Sequence, residues 1–119
     1  MKHIYIIIGV VGMFLLTACG QQQDAENLVK EFIAENAVSP NQIDIVSFGK
    51  LDSTKVIHDS LIADMQQREN PVFKKDVKYS SEQSRRMLYL LRISYAYEGD
   101  TLTNTFYLDE QLQHVVAFK

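Results

Sequence analysis

Three polar side chains in the last third of the sequence are of types that could bind or act on a polar ligand. Tyr95, Asn104 and His114 offer a phenol, an amide and an imidazole, which exchange hydrogen bonds and, for histidine, a proton near neutral pH. We expect them on one concave face of a sheet, lining a pocket as candidate ligand-binding residues. The competing interpretation, which we favour, is that Asn104 and His114 satisfy each other or the backbone at the sheet rim.

Other catalytic or metal-binding patterns are not found in the sequence. It contains no Gly-x-Ser-x-Gly nucleophile motif, no phosphate-binding loop and no dinucleotide fingerprint. The remaining histidines, His3 and His58, do not form a ligand set with His114, so a zinc site is not expected. We therefore predict no enzyme, no metal and no cofactor. An acid–base enzyme with His114 as the base is a weaker alternative.

Cys19 is the single cysteine and ends an N-terminal apolar stretch. The run from Ile4 to Ala18 is 15 residues long, which is short of the roughly 20 that a membrane-spanning helix needs. Preceded by Lys2, it has the layout of a secretory signal. The sequence Leu16-Thr17-Ala18-Cys19 resembles the lipobox of bacterial lipoproteins. This resemblance implies a signal peptide over residues 1–18 and acyl chains such as palmitate on Cys19, which anchor durably once two or more are attached.

The same resemblance places the protein in the bacterial cell envelope. Residues 19–23 are predicted to be the lipidated cysteine and a short polar tether, and residues 24–119 a single domain. In enterobacterial lipoproteins an Asp after the cysteine signals retention in the inner membrane. Gly20 stands at that position, so the outer membrane is favoured, with its periplasmic and surface faces both open.

Charge excludes one class of partner. Removal of residues 1–18 leaves 101 of the 119 residues and changes the net charge from −3 to −4, because Lys2 is lost. Nucleic-acid binding depends on clustered Lys and Arg, so no nucleic-acid partner is expected. One local positive excess lies within residues 70–86, and it is interpreted either as a patch for lipid headgroups or an anionic partner or as a solvated connection. Its basic residues are Lys74, Lys75, Lys78, Arg85 and Arg86.

Two helices are predicted ahead of the main sheet. Over residues 24–37 apolar residues recur at three-and-four spacing, with Asp24 as the N-cap. A short second helix is expected over residues 59–69, with Leu61, Ile62 and Met65 on one side. Between them, residues 43–51 are strand-like, but the phase of their apolar residues slips. This slip suggests either a bulge or a buried strand. The sequence is compatible with one strand or with two strands over residues 43–57.

The C-terminal third predicts a three-stranded antiparallel meander. From Met87 to Tyr97 every odd position is apolar or aromatic, and Gly99-Asp100 predicts a type II′ turn. This register pairs Tyr95 with Asn104 and Arg92 with Tyr107, and it leaves one face polar. A third strand, residues 112–118, would place His114 beside Phe106, and the helices would cover the apolar face.

The predicted fold class is α+β: an N-terminal helix and a short second helix packed on a curved antiparallel sheet that ends in the meander. Over residues 24–119 this order resembles small envelope lipoproteins with a cystatin-like or NTF2-like core. It also resembles two-helix, three-strand lipoproteins that assist outer-membrane assembly. The cystatin motif Gln-x-Val-x-Gly is absent, so protease inhibition is not implied.

The function predicted from the sequence is that of a non-enzymatic, lipid-anchored interaction module. Its partners would be the membrane, through Cys19, and another envelope protein, which would dock on the polar face with Arg92 and Tyr107 or on a free strand edge. The alternative is a small-ligand-binding domain with its pocket between helix and sheet. The oligomeric state stays open.

Overall fold

The computed structural model describes residues 20–55, 58–77, 79 and 87–119. The predicted signal peptide, Cys19 and three of the basic residues, Lys78, Arg85 and Arg86, lie outside these ranges. The described part is α+β, as predicted, with two helices and an antiparallel five-stranded sheet. Its elements are α1 (20–36), a 3₁₀ turn (Pro40–Gln42), β1 (Asp44–Phe48), β2 (Asp52–Thr54), α2 (Asp59–Gln67), β3 (Leu88–Tyr97), β4 (Asp100–Leu108) and β5 (Val115–Phe118).

Helix α1 includes residues that were expected to form an extended tether. Residues 20–23 are already helical, because glutamine is a good helix former and hydrogen bonds four residues apart support the first described turns. Gln22 Nε2 donates to Glu26 at 3.0 Å, and Gln23 Nε2 donates to Asn27 at 3.0 Å. The predicted start at residue 24 is therefore wrong. The apolar stripe is confirmed, with its buried members Ala25, Val29, Phe32 and Ile33.

Gln22 also ties α1 to the link between β1 and β2. Its Nε2 donates to the Gly49 carbonyl at 3.0 Å, and its Oε1 accepts from the Leu51 N–H at 2.7 Å. The Gln22 amide thus satisfies one backbone carbonyl and one backbone N–H of the link, neither of which pairs with a neighbouring strand. This part of the predicted tether is an integral part of the domain.

The sheet has the order β1-β3-β4-β5, and β2 pairs with β3 further along the same side. Residues 43–57 therefore contain two strands. The pairing of β1 with β3 shifts between Ile45 and Ser47, which confirms the bulge that the phase slip suggested. Val46, at this bulge, is 63% exposed.

In the hairpin of β3 and β4, each residue of β3 pairs two positions away from its predicted partner in β4. Tyr97 pairs with Asp100, and the turn consists of Glu98 and Gly99. Both turn residues have positive φ, at 50° and 84°, as a type I′ turn requires. The predicted type II′ turn at Gly99-Asp100 is therefore wrong. A shift of two residues keeps every side chain on its predicted face, because side chains alternate with a period of two.

Strand β5 is shorter than predicted because Asp109 organises a turn over residues 109–114. Its Oδ1 accepts from the backbone N–H groups of Gln113 and His114 at 2.7 and 3.0 Å, and its own N–H donates to the His114 carbonyl at 3.1 Å. A short carboxylate that binds nearby N–H groups competes with strand pairing. Leu112, with a φ of 55°, also lies in this turn rather than in a strand.

The two helices cover opposite faces of the sheet. The inner face, which carries Leu91, Ile93 and Tyr95 of β3, packs against α1 in the main core. The prediction put both helices there. Helix α2 instead packs on the outer face near β5, where Ile62 and Met65 bury themselves against three apolar side chains, Leu88, Val116 and Ala117. The predicted second helix is confirmed, but it lies on the face expected to be polar.

Candidate functional site

Tyr95 and Asn104 are neighbours on the inner face, as predicted, although they are not directly paired. Tyr95 pairs with Leu102 and Asn104 with Ile93, so the contact runs diagonally between the strands. The Tyr95 hydroxyl donates to Asn104 Oδ1 at 2.5 Å, and Asn104 Nδ2 donates to the Lys119 carbonyl at 3.1 Å. Tyr95 is 1% exposed and Asn104 is 8% exposed. Both side chains thus have protein partners and little access to solvent.

Burial also affects the ionisation of the Tyr95 hydroxyl. It raises the pKa of the Tyr95 hydroxyl above the ordinary tyrosine value, and the nearby Tyr97 adds to the rise. The hydroxyl therefore stays protonated at neutral pH and acts as a hydrogen-bond donor. This arrangement fits a buried polar contact that specifies how β3 and β4 pack.

The space expected to hold a ligand between α1 and the sheet is filled by aromatic rings. The Phe32 ring centroid lies 5.8 Å from those of both Phe106 and Phe118, with edge-on geometry. Phe106 and Phe118 stack at 5.2 Å, and Phe73 lies 4.6 Å from Phe118. These distances are typical of packed aromatic cores. The predicted pocket is therefore replaced by a solid cluster.

His114 lies apart from the Tyr95–Asn104 pair. It is exposed and belongs to the turn after β4, so its predicted position beside Phe106 is wrong. The Asp109 turn delays the start of β5 and removes His114 from the strand. The imidazole borders a surface depression of about 180 Å³ with two acidic residues of α1, Glu31 and Glu35. The structure thus brings together two of the three predicted ligand-binding residues.

Arg92 and Tyr107 share the outer face, as predicted, but they are not paired with each other. Arg92 lies opposite Thr105, and Tyr107 lies opposite Leu90, because the register differs by two residues. Arg92 is exposed. Tyr107 is half-buried against the α2 cluster, and Lys119 Nζ lies 5.9 Å from its ring centroid. The two residues therefore differ in role: Arg92 faces solvent, whereas Tyr107 borders the second core.

The part of the outer face that α2 leaves uncovered is polar. We call it the outer strip, and its members are Ser47 of β1, Arg92 and Ser94 of β3, and Thr101, Thr103 and Thr105 of β4. Ser94 Oγ and Thr103 Oγ1 lie 3.2 Å apart in a cross-strand hydrogen bond. Such cross-strand hydroxyl pairs stabilise the sheet.

A groove between the ends of the two helices was not predicted. It encloses about 640 Å³ and is lined by Val38 after α1, by residues 66–71 at the end of α2, and by Phe73, Lys74, Lys75, Val77, Tyr79 and Phe118. The basic stretch around Lys74 was noticed in the sequence. The exposed Val38 was not, although an apolar residue directly before Ser39-Pro40 was the available signal.

The described residues contain no cluster of three or more His, Cys, Asp or Glu side chains able to hold a metal ion. Within those same ranges, no helix has the length and apolar character needed to cross a membrane. No family model matches the chain, and no curated protein or solved structure is significantly similar to it.

Proposed function

We propose that this protein is a non-enzymatic, lipid-anchored domain of the bacterial envelope that works by binding another envelope protein through the outer strip. The observation that carries the proposal is the unequal cover of the outer face. Helix α2 shields its β5 end, whereas the hydroxyl groups and Arg92 of the outer strip remain open. A polar surface with several hydroxyl groups and one guanidinium suits a partner that offers carboxylate and carbonyl acceptors.

Docking on the face is favoured over strand addition at an edge. Strand β1 is short and carries a bulge at Val46, and a bulge interrupts the ladder that an added strand would need. At the other edge, the Gln66 amide of α2 donates to the Val116 carbonyl at 2.9 Å. Both edges thus carry the devices by which proteins discourage edge-to-edge pairing.

The anchor proposed at Cys19 lies close in sequence to the folded domain. The described residues are helical from residue 20, and Gln22, which follows Cys19 by three positions, binds the β1–β2 link, so only a short stretch of sequence separates the proposed anchor from the folded domain. A lipid on Cys19 would therefore hold the domain against its bilayer, on the outer membrane by the Gly20 argument. The helix-then-sheet order also supports the cystatin-like or NTF2-like resemblance as a proposal for the fold family.

Anchoring is tested with Cys19→Ser. Metabolic labelling with an alkyne palmitate should mark the native protein and leave the variant unmarked, and the native protein should partition with membranes. Labelling of Cys19→Ser, or an unlabelled native protein, would contradict a lipid anchor at this position.

Partner binding is tested by crosslinking capture of the lipidated protein from its own cells, read by mass spectrometry. Arg92→Glu should reduce recovery of one envelope protein about tenfold or more. The substitution removes the favourable contact of the guanidinium with the partner's acceptors, and the new carboxylate repels them. Arg68→Glu is the matched control, because Arg68 is an exposed arginine directly after α2 and outside the outer strip. Tyr107→Ala is avoided, because its loss would disturb the α2 cluster. Equal recovery with Arg92→Glu and Arg68→Glu would exclude the outer strip.

A further inference from the structure

The groove between the helix ends is a preformed feature. The segment after Pro71 is tied to the end of α1 by two backbone hydrogen bonds: Val38 N–H to the Val72 carbonyl at 2.9 Å, and Lys74 N–H to the Asn36 carbonyl at 2.8 Å. Asn70 Oδ1 accepts from the Val72 N–H at 3.0 Å, which fixes the turn. The walls of the groove are therefore held in place without a ligand, which lowers the entropic cost of binding a ligand.

The floor of the groove is apolar, its walls carry both polar and apolar side chains, and it is partly open to solvent. Phe73 and Phe118 form its buried floor. The Tyr79 ring is also held in place, since its centroid lies 6.1 Å from that of Phe32 and 6.5 Å from that of Phe118. Val38, on the wall, is 55% exposed, one of the most exposed large apolar side chains described. An apolar ligand would cover this surface, whose exposure is otherwise unfavourable.

The rim of the groove is basic in an acidic protein. Among its lining residues, three cations face one anion, Glu69, whereas the whole chain has a net charge of −3. Arg68 forms an exposed ion pair with Asp64 at 3.1 Å, and Lys74 Nζ lies 3.3 Å from the Glu35 carbonyl. Lys75 forms no ion pair with any described residue. The two lysines are therefore available to a ligand anion.

We infer that this groove binds a single-chain anionic amphiphile, such as a fatty acid or a lysophospholipid. The acyl chain would lie along Val38, Phe73 and Phe118, and the carboxylate or phosphate would bind Lys74 and Lys75 at the rim. A volume of about 640 Å³ falls within the range of roughly 300–1,000 Å³ typical of small-molecule sites. The site is separate from the outer strip, so it stands whether or not that surface binds a protein.

Tyr79 fits the same ligand. Burial raises its pKa to about 12, and the phenol, which is neutral at physiological pH as in an unshifted tyrosine, can donate a hydrogen bond. An anionic headgroup accepts hydrogen bonds and so can use both lysine ammonium groups and a neutral phenol, whereas a cationic headgroup would be repelled by the rim.

The test is photolabelling of the full-length protein in nanodiscs of neutral lipid. A diazirine-bearing laurate should label residues of the groove with saturation, and unlabelled laurate should compete, whereas dodecanol and inorganic phosphate should not. Lys74→Gln combined with Lys75→Gln should reduce labelling about tenfold, as expected for two exposed charge contacts. Val38→Asp should reduce it by a similar factor, because it places a charge against the acyl chain.

Val46→Asp is the matched control, since Val46 is an exposed valine of β1, similar in exposure to Val38, and lies outside the groove. Circular dichroism of each variant confirms that it is folded. Labelling that does not saturate, or a loss with Val46→Asp equal to that with Val38→Asp, would overturn the inference. Competition by phosphate alone would show a simple anion site, and competition by dodecanol would show that the lysines are irrelevant. Labelling abolished only by added anionic vesicles would indicate a membrane-surface contact instead.

Discussion

Replacing Tyr95 by phenylalanine tests whether this hydroxyl is a structural contact or a ligand-binding group. In the structure it donates to Asn104 Oδ1, with Tyr95 1% exposed and Asn104 8% exposed. Water cannot readily replace the lost donor, so Asn104 keeps a buried acceptor without this partner. Leaving a buried polar group unsatisfied costs about 1–3 kcal/mol. We therefore expect Tyr95→Phe to lower the free energy of unfolding by about 2 kcal/mol.

The assay is thermal and urea unfolding followed by far-ultraviolet circular dichroism. For a domain of this size, 2 kcal/mol corresponds to a fall in Tm of about 8–16 °C. Tyr97→Phe is the matched control, because Tyr97 lies on the same strand and face but is only half-buried, with no described hydrogen bond of its hydroxyl. Its change should stay within about 0.5 kcal/mol. Equal effects of the two substitutions would refute the reasoning and return Tyr95 to the list of candidate ligand contacts.

Three further predictions concern stability. Gln22→Ala should lower the free energy of unfolding by about 1–2 kcal/mol, because two backbone groups lose their hydrogen-bond partner. Gln23→Ala removes only an exposed contact and should change the free energy of unfolding by less than about 0.5 kcal/mol. Equal urea midpoints for the two variants would contradict the role of Gln22 in binding the β1–β2 link. Glu98→Asn should raise Tm by a few degrees, since asparagine tolerates the positive φ of 50°, and a lower Tm would argue against the type I′ turn. Because the pKa of Tyr79 is raised from 10.0 to about 12 in the folded state, the contribution of this group to stability should be fully present below pH 10 and be lost as the pH rises through about 12. Tyr79→Phe should shift alkaline unfolding to higher pH more than Tyr97→Phe does, and an unchanged midpoint would contradict this source of instability.

Local sequence patterns predicted the two helices, the antiparallel strands and the inner and outer faces of β3 and β4. The odd-position apolar residues of β3, the α1 stripe and the phase slip at Val46 each correspond to what the structure contains. Such patterns reflect side-chain direction, which repeats every two residues in a strand. For that reason they could not distinguish the turn at Glu98-Gly99 from one at Gly99-Asp100, since both preserve the faces.

Features that depend on distant residues were not predictable in this way. An apolar stripe on α2 shows that the helix packs but not on which face of the sheet, and Leu61, assigned to that stripe, is 57% exposed. The site residues follow the same rule. Tyr95 and Asn104 were correctly placed together because they share a face, although through a different register. His114 was misplaced because the Asp109 carboxylate ends the strand pattern early.

Strand β5 has a consequence for how the domain unfolds. A bulge at Val116, where the pairing with β4 shifts between Tyr107 and Leu108, interrupts the alternation of side chains along β5. As a result, Val115 and Phe118 lie in the core under α1, and Val116 and Ala117 lie in the core under α2. If either helix detached, the β5 side chains beneath it would be exposed to solvent. The other helix packs on the opposite face of the same strand, so it would lose part of its support. The two cores are therefore thermodynamically coupled through four consecutive residues, and we expect them to melt in a single cooperative transition, with coincident curves from helical and aromatic signals.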